Sequence, residues 1–438
     1  MLIGSERIFF IRSDPIFGLI SLTSTTADTL SGPETTPPPI PQKRWIVSAL
    51  GLMQIFAWGS TFYLPAILAP TIAEDTGWPL VWIVGSLSIG LMVAGLVAPT
   101  VGNRIDKKGG RWVLTISCAL FAIGLCVIGL ANSLWLYFGG WLILGVAMGS
   151  GLYDASFSTL TQIYGLKARS AITTLTLWGG FSSTVCWPLS AWMLNLFGWR
   201  ATCLIYAAIM LLVCLPLIRK VLPARVRIAN RPRTPGKKAP LELTALEKRQ
   251  MRLLMCSLMI AGAIGALVSV HLLLILSGRG LSIEEMVALG ALIGPAQVAG
   301  RLLEAANKER HHALWTLTVS VGLTAIGLVL LATGLEVTAW AIILYGAGNG
   351  IFSIAKGAMP LFLFGSERYA RIVGRLALPS LLAQALVPAL VAWLLAGFGA
   401  LPSLLLLAVL GIANIAVVVL IWRTRLQYAP PDSPTAGA

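Results

Sequence analysis

Charge is scarce in this 438-residue chain. Asp, Glu, Lys and Arg make up only 11% of it, against about 25% in soluble domains. So few charges cannot clothe the surface of a water-soluble fold of this size. Carboxylates are the scarcer sign, 17 against 32 Lys and Arg, and histidine occurs three times. The six cysteines (Cys118, Cys126, Cys186, Cys203, Cys214 and Cys256) form no CxxC pair and no Cys/His spacing, so no metal site is expected. They fall in or beside apolar stretches, where cysteine acts as a small apolar residue rather than a disulfide partner. No Walker loop, Ser/His/Asp arrangement or metal cluster can be read, so neither an enzyme nor a bound cofactor is expected.

What is present is apolar length. The chain is 57% hydrophobic, and a spanning helix needs about 20 mostly apolar residues. Twelve such stretches lie near 45–70, 80–101, 112–131, 134–160, 170–196, 201–218, 253–277, 284–303, 313–333, 338–364, 372–397 and 400–422. A β-barrel is excluded, because its strands would be about 10 residues long and strictly alternating. The expected fold is an all-α membrane protein with twelve transmembrane helices.

The net charge of +15 raises the question of nucleic acid. Its placement answers it. With both termini cytoplasmic, all Lys and Arg except Arg200, Arg279 and Lys356 fall on the cytoplasmic side. That is the positive-inside bias of a membrane protein, here an inner-membrane one, and no nucleic-acid partner is expected. The partners implied are the lipid bilayer and a small-molecule substrate, and one chain is expected to suffice.

Residues 1–44 are Ser/Thr/Pro-rich toward their end and read as a disordered cytoplasmic segment. Residues 45–218 form a first set of six spans and 253–422 a second. Between them, 219–252 holds eleven Lys or Arg against Glu242 and Glu247, a basic linker suited to the anionic inner leaflet. Residues 423–438 form a cytoplasmic tail.

The halves repeat. Gly102-Asn-Arg-Ile-Asp106 returns as Gly300-Arg-Leu-Leu-Glu304, an offset of 198. Pro188-Leu-Ser-Ala-Trp192 is echoed by Pro388 and Trp393, and Phe197-Gly198 by Phe398-Gly399, at offsets of 200 and 201. Two pseudo-symmetric six-helix bundles are a transporter plan, with the substrate site between them near the midplane.

The run GNRIDKKGGR at 102–111 is similar to the loop 2–3 signature of the major facilitator superfamily, with Gly102, Asp106, Lys107, Gly109 and Arg111 on its positions or within one of them. The chain resembles that superfamily over 45–422. The resemblance implies alternating access, a cavity lined mainly by spans one, four, seven and ten, and an Asp106 that latches the bundles on the cytoplasmic side. Gly300, Arg301 and Glu304 are the second copy of this gating motif. Glu304 is expected to matter less, because no Gly-Gly-Arg follows it. Two features of proton-coupled drug exporters are missing: Trp141 stands where span four usually has Arg, and Gly179-Gly180 is separated from Pro188. The segments at 57–70, 197–202, 294–301 and 348–365 look instead like a bacterial subgroup related to monocarboxylate and oxalate/formate carriers.

Asp154 in span four and Lys356 in span ten are expected to be the two charged side chains well inside a span, where each is costly. At about 1.5 Å per residue they lie about 10 and 8 Å to the cytoplasmic side of their span centres. The matched depths suit either a static pair or a pair that a substrate anion or proton parts, and Lys356, whose ammonium can meet a carboxylate, is the residue expected to hold the substrate. His271 in span seven has an ordinary pKa suited to proton relay, or is simply bonded to backbone. Gln54, Trp58 and Thr61, with Tyr63 nearby, make a polar-aromatic stripe on span one, and Asn349 is a weaker candidate in span ten. A secondary active transporter of a small organic anion such as a monocarboxylate, coupled to protons, accounts for these residues. An exporter of toxic compounds and a non-transporting membrane sensor are the competing readings.

Overall fold

The computed structural model describes residues 42–224, 242–277, 281–306, 311–333, 336–398 and 400–426. The expected N-terminal segment up to residue 41, linker residues 225–241 and tail residues 427–438 lie outside them. Among the described residues every element is a helix. That is the local solution for an apolar chain in lipid, since a helix satisfies its own backbone polar groups. Ten stretches of the described residues are long and apolar enough to cross a membrane, and one of them, Leu134–Val221, runs 88 residues. It contains three crossings, separated by the turn at Gly165–Lys167 and by Gly198, whose φ of 75° breaks the helix. Twelve crossings result.

Helices extend past the expected ends. Span six runs to Val221, span seven begins at Ala245, and span eight reaches Ala306, so the linker between helices is shorter than 219–252. Span eight, expected over 284–303, holds Arg301 within its length, and the side chain is buried rather than at the basic surface. The expectation that only Asp154 and Lys356 are charged inside the spans is corrected accordingly.

Four spans are interrupted near mid-length, which their continuous apolar runs did not foretell. Span one stops at Gly59 and restarts at Leu64, with Pro65 in its new first turn. Span four is Leu134–Gly151 and Tyr153–Tyr164, broken at an extended Leu152. Span five, from Ala168, turns at Phe181 after Gly179-Gly180. Span eight turns at Leu292 between Ile283–Ala291 and Ile293–Ala306. An interruption frees backbone groups that must find partners. At the span-four break the Gly151 carbonyl accepts from Gln54 Nε2 at 2.8 Å.

The two bundles meet most closely where span two, Leu80–Lys108, crosses span eleven, Tyr369–Phe398. A β-carbon on Gly102 would lie 2.2 Å from the Ala370 carbonyl oxygen, so the two backbones touch. Gly102→Val overpacks this contact, a change that costs about 1–3 kcal/mol in a tight interior. Uptake by that variant is expected to fall roughly tenfold with the membrane level of protein unchanged. An intact rate would show that the backbone contact is dispensable.

Candidate functional site

Asp154 and Lys356 meet. Lys356 Nζ donates to Asp154 Oδ2 at 3.0 Å, linking spans four and ten across the bundle interface, with both side chains about four-fifths buried. Asp154 lies in the first turn after the Leu152 break, where the helix N-terminus favours a carboxylate. Its Oδ1 is buried without a hydrogen-bond partner among the described residues.

Arg301 is a second largely buried cation against span ten. Helical side chains lean toward the helix N-terminus, which for span eight carries the guanidinium from the basic face toward the middle of the bilayer. The residue is only 7% exposed. Its Nε donates to the Gly350 carbonyl at 3.3 Å and to Ser353 Oγ at 3.1 Å, both on span ten. Nη1 lies against span five: a β-carbon on Gly180 would be 2.2 Å from it. Among the described residues no carboxylate lies within ion-pair distance of Arg301, and its two Nη atoms take no hydrogen bond.

The span-one residues divide. Gln54 and Thr61 are fully buried. Gln54 bonds Gly151 and Ser156 Oγ and accepts from Trp58 Nε1 at 3.1 Å; Thr61 Oγ1 donates to the Ala57 carbonyl. Their polar groups are spent inside the N-terminal bundle. Trp58 and Tyr63 are only partly buried. Their ring centroids are 6.5 Å apart, and Trp58 lies 5.4 Å from Tyr153. His271 is buried, with Nε2 2.8 Å from the Pro388 carbonyl, which ties span seven to span eleven. Asn349 borders a small cavity inside the C-terminal bundle, with Thr324, Tyr345 and Asn414.

Toward the basic face, ion pairs join the bundles. Asp106 Oδ2 is 3.6 Å from Arg371 Nε on span eleven, and Glu304 Oε1 is 3.6 Å from Arg169 Nη2 on span five. Glu304 also accepts from Thr316 Oγ1 at 2.6 Å. The pairs repeat as the sequence does, acid on span two with base on span eleven, acid on span eight with base on span five. Gly109 ends span two at φ 88°, a conformation that favours glycine. Lys107 is exposed and Arg111 partly so.

The sequence profile of the Major Facilitator Superfamily matches residues 50–311. The chain belongs to this superfamily. Among curated relatives it is similar to a gallate transporter of Pseudomonas putida, 23% identical over 48% of this chain and 47% of that one. It is also similar to mouse monocarboxylate transporter 11, 29% identical over 32% and 30% of the two chains. The multidrug resistance protein MdtG of Escherichia coli is 28% identical over 40% and 43%. The matches thus span less than half the length of these relatives. Two solved structures share the fold. One is the human organic anion transporter MFSD10 (TM-score 0.66, 16% identity, 86% of this chain and 100% of that one). The other is the transporter FucP in the outward conformation (0.67, 12%, 88% and 99%). The protein is therefore a multi-pass membrane protein with the two six-helix bundles of this superfamily.

In this superfamily member, residues 102–111 were legible as a motif, whereas Arg301 was read only as the second residue of the repeated one. The available signal was the echo itself. Position 103 in the first copy is a neutral Asn, so a cation at 301 breaks the symmetry. Tyr153 was missed too, because an aromatic beside a span-four glycine run reads as packing.

Proposed function

We propose that the protein carries a small organic anion, and that Arg301 is the residue that holds the carboxylate. The observation that supports this is an arginine, nine-tenths buried, with no counter-ion among the described residues. A buried lone charge is costly, and an arriving anion relieves that cost. The guanidinium's free edge offers a fork that matches a carboxylate. Lys356 already has Asp154 as its partner. Asp154, with one unpartnered oxygen, is the group to which proton coupling is assigned: a proton there weakens its hold on Lys356. The basic face is the cytoplasmic face of the inner membrane, and the ion pairs there close the cavity on that side. The gallate and monocarboxylate relatives are consistent with an anion.

The test is uptake of labelled monocarboxylates into proteoliposomes under an imposed pH gradient. Arg301→Gln is expected to lower it by about a hundredfold, the loss of one charge-assisted bidentate contact. Unchanged uptake in that variant would remove the assignment. Export of small toxic compounds is the second reading, favoured by the likeness to multidrug resistance proteins. Extrusion of dyes against the same gradient, without carboxylate flux, would select it.

A further inference from the structure

Gly179-Gly180 has a specific consequence for what lies beside Arg301. A β-carbon on Gly179 would be 1.9 Å from Tyr153 Oη, and one on Gly180 would be 2.2 Å from Arg301 Nη1. Two successive glycines of span five therefore seat a phenol and a guanidinium side by side. The phenol belongs to the N-terminal bundle and the guanidinium to the C-terminal one. Tyr153 is the first helical residue after the span-four break, and Tyr63 immediately precedes the restart of span one. The interruptions thus bring aromatic side chains from different spans to one place.

Those rings form a connected wall. Trp58 is 5.4 Å from Tyr153, 5.5 Å from Phe62 and 6.5 Å from Tyr63, centroid to centroid. Tyr153 stacks on Phe157 at 5.2 Å with an interplanar angle of 11°, and Tyr63 meets Trp187 edge-on at 6.3 Å. Trp141, Tyr137 and Tyr206 of the same bundle are sealed, at 2% exposure or less. Trp58, Phe62, Tyr63 and Tyr153 are instead each partly open. Partly exposed aromatic rings beside a cation with no ion-pair partner among the described residues are the two kinds of group that a ring bearing a carboxylate would meet.

We propose that the anion is an aromatic carboxylate, held with its carboxylate on Arg301 and its ring against Trp58, Tyr63 and Tyr153. The inference rests on the anion reading above. It adds that the wall discriminates a π-ring from a saturated one, because aromatic pairs gain edge-to-face and offset contacts beyond area burial.

The test is thermal stabilisation of the purified full chain by benzoate, cyclohexanecarboxylate, acetate and neutral benzamide. Benzoate is expected to act at about tenfold lower concentration than cyclohexanecarboxylate, with acetate weaker still and benzamide inert. Trp58→Leu and Tyr153→Leu are expected to bring the two ring acids to equal potency while both still stabilise. Equal potency in the wild type would overturn the aromatic class and leave the anion reading standing. Stabilisation by benzamide as strong as by benzoate would overturn the placement of a carboxylate on Arg301. No stabilisation by any of the acids would remove both readings together. The wild-type series decides the matter even where a variant fails to fold.

Discussion

Asp106→Asn is expected to slow transport by roughly tenfold or more while membrane insertion stays intact. The side chain is 6% exposed and its Oδ2 lies 3.6 Å from Arg371 Nε, in the region where spans two and eleven are in backbone contact. An amide of the same shape keeps the packing and removes the charge. What it loses is the attraction between spans two and eleven, which in the proposed latch favours the state closed on the basic face. A shift of about 1.4 kcal/mol between two states of a carrier changes their ratio tenfold, and a cycle that must visit both slows accordingly. Insertion depends on the apolar spans and should not change. The measurement is initial uptake per immunodetected protein in membrane vesicles. Normal flux would end the role of Asp106 as a latch. Glu304→Gln is expected to cost less, since the new amide oxygen can still accept from Thr316 Oγ1.

The general plan was legible because it is written in quantities a sequence carries directly. Spans follow from apolar length, the two bundles from offsets near 200, and the family from residues 102–111. The pairing of Asp154 with Lys356 was legible as a matched depth on opposing spans, because rise per residue converts position into depth. The helix interruptions were not legible. Gly149-Ser-Gly151 and Gly179-Gly180 are as compatible with close helix packing as with a break, and only the partners of the freed backbone separate the two. Gln54 shows this: the stripe it belongs to suits a cavity wall or packing within the bundle equally, and its amide bonds the Gly151 carbonyl released at the break. Arg301 was misjudged for a related reason. Its α-carbon lies toward the basic end of span eight, but the direction of its side chain, not its position, decides which environment the charge meets.

Removing both members of the central pair separates a brace from a coupling device. Either single change, Asp154→Ala or Lys356→Ala, strands a charge at a depth where charges cost several kcal/mol, so both singles are expected to be inactive whatever the pair does. Asp154→Ala/Lys356→Ala strands none. If the 3.0 Å contact only holds spans four and ten together, the double variant should regain proton-driven uptake. The expected result is different. Accumulation against a gradient stays at least about tenfold below wild type, while exchange of labelled for unlabelled benzoate continues, because the anion site proposed at Arg301 is untouched and no proton need move. The pH dependence of flux should disappear in the same variant. Restored accumulation would make the pair a brace and leave Asp154 without a role in coupling. Loss of exchange together with accumulation would instead place the pair within the binding site itself, with Lys356 sharing the carboxylate with Arg301.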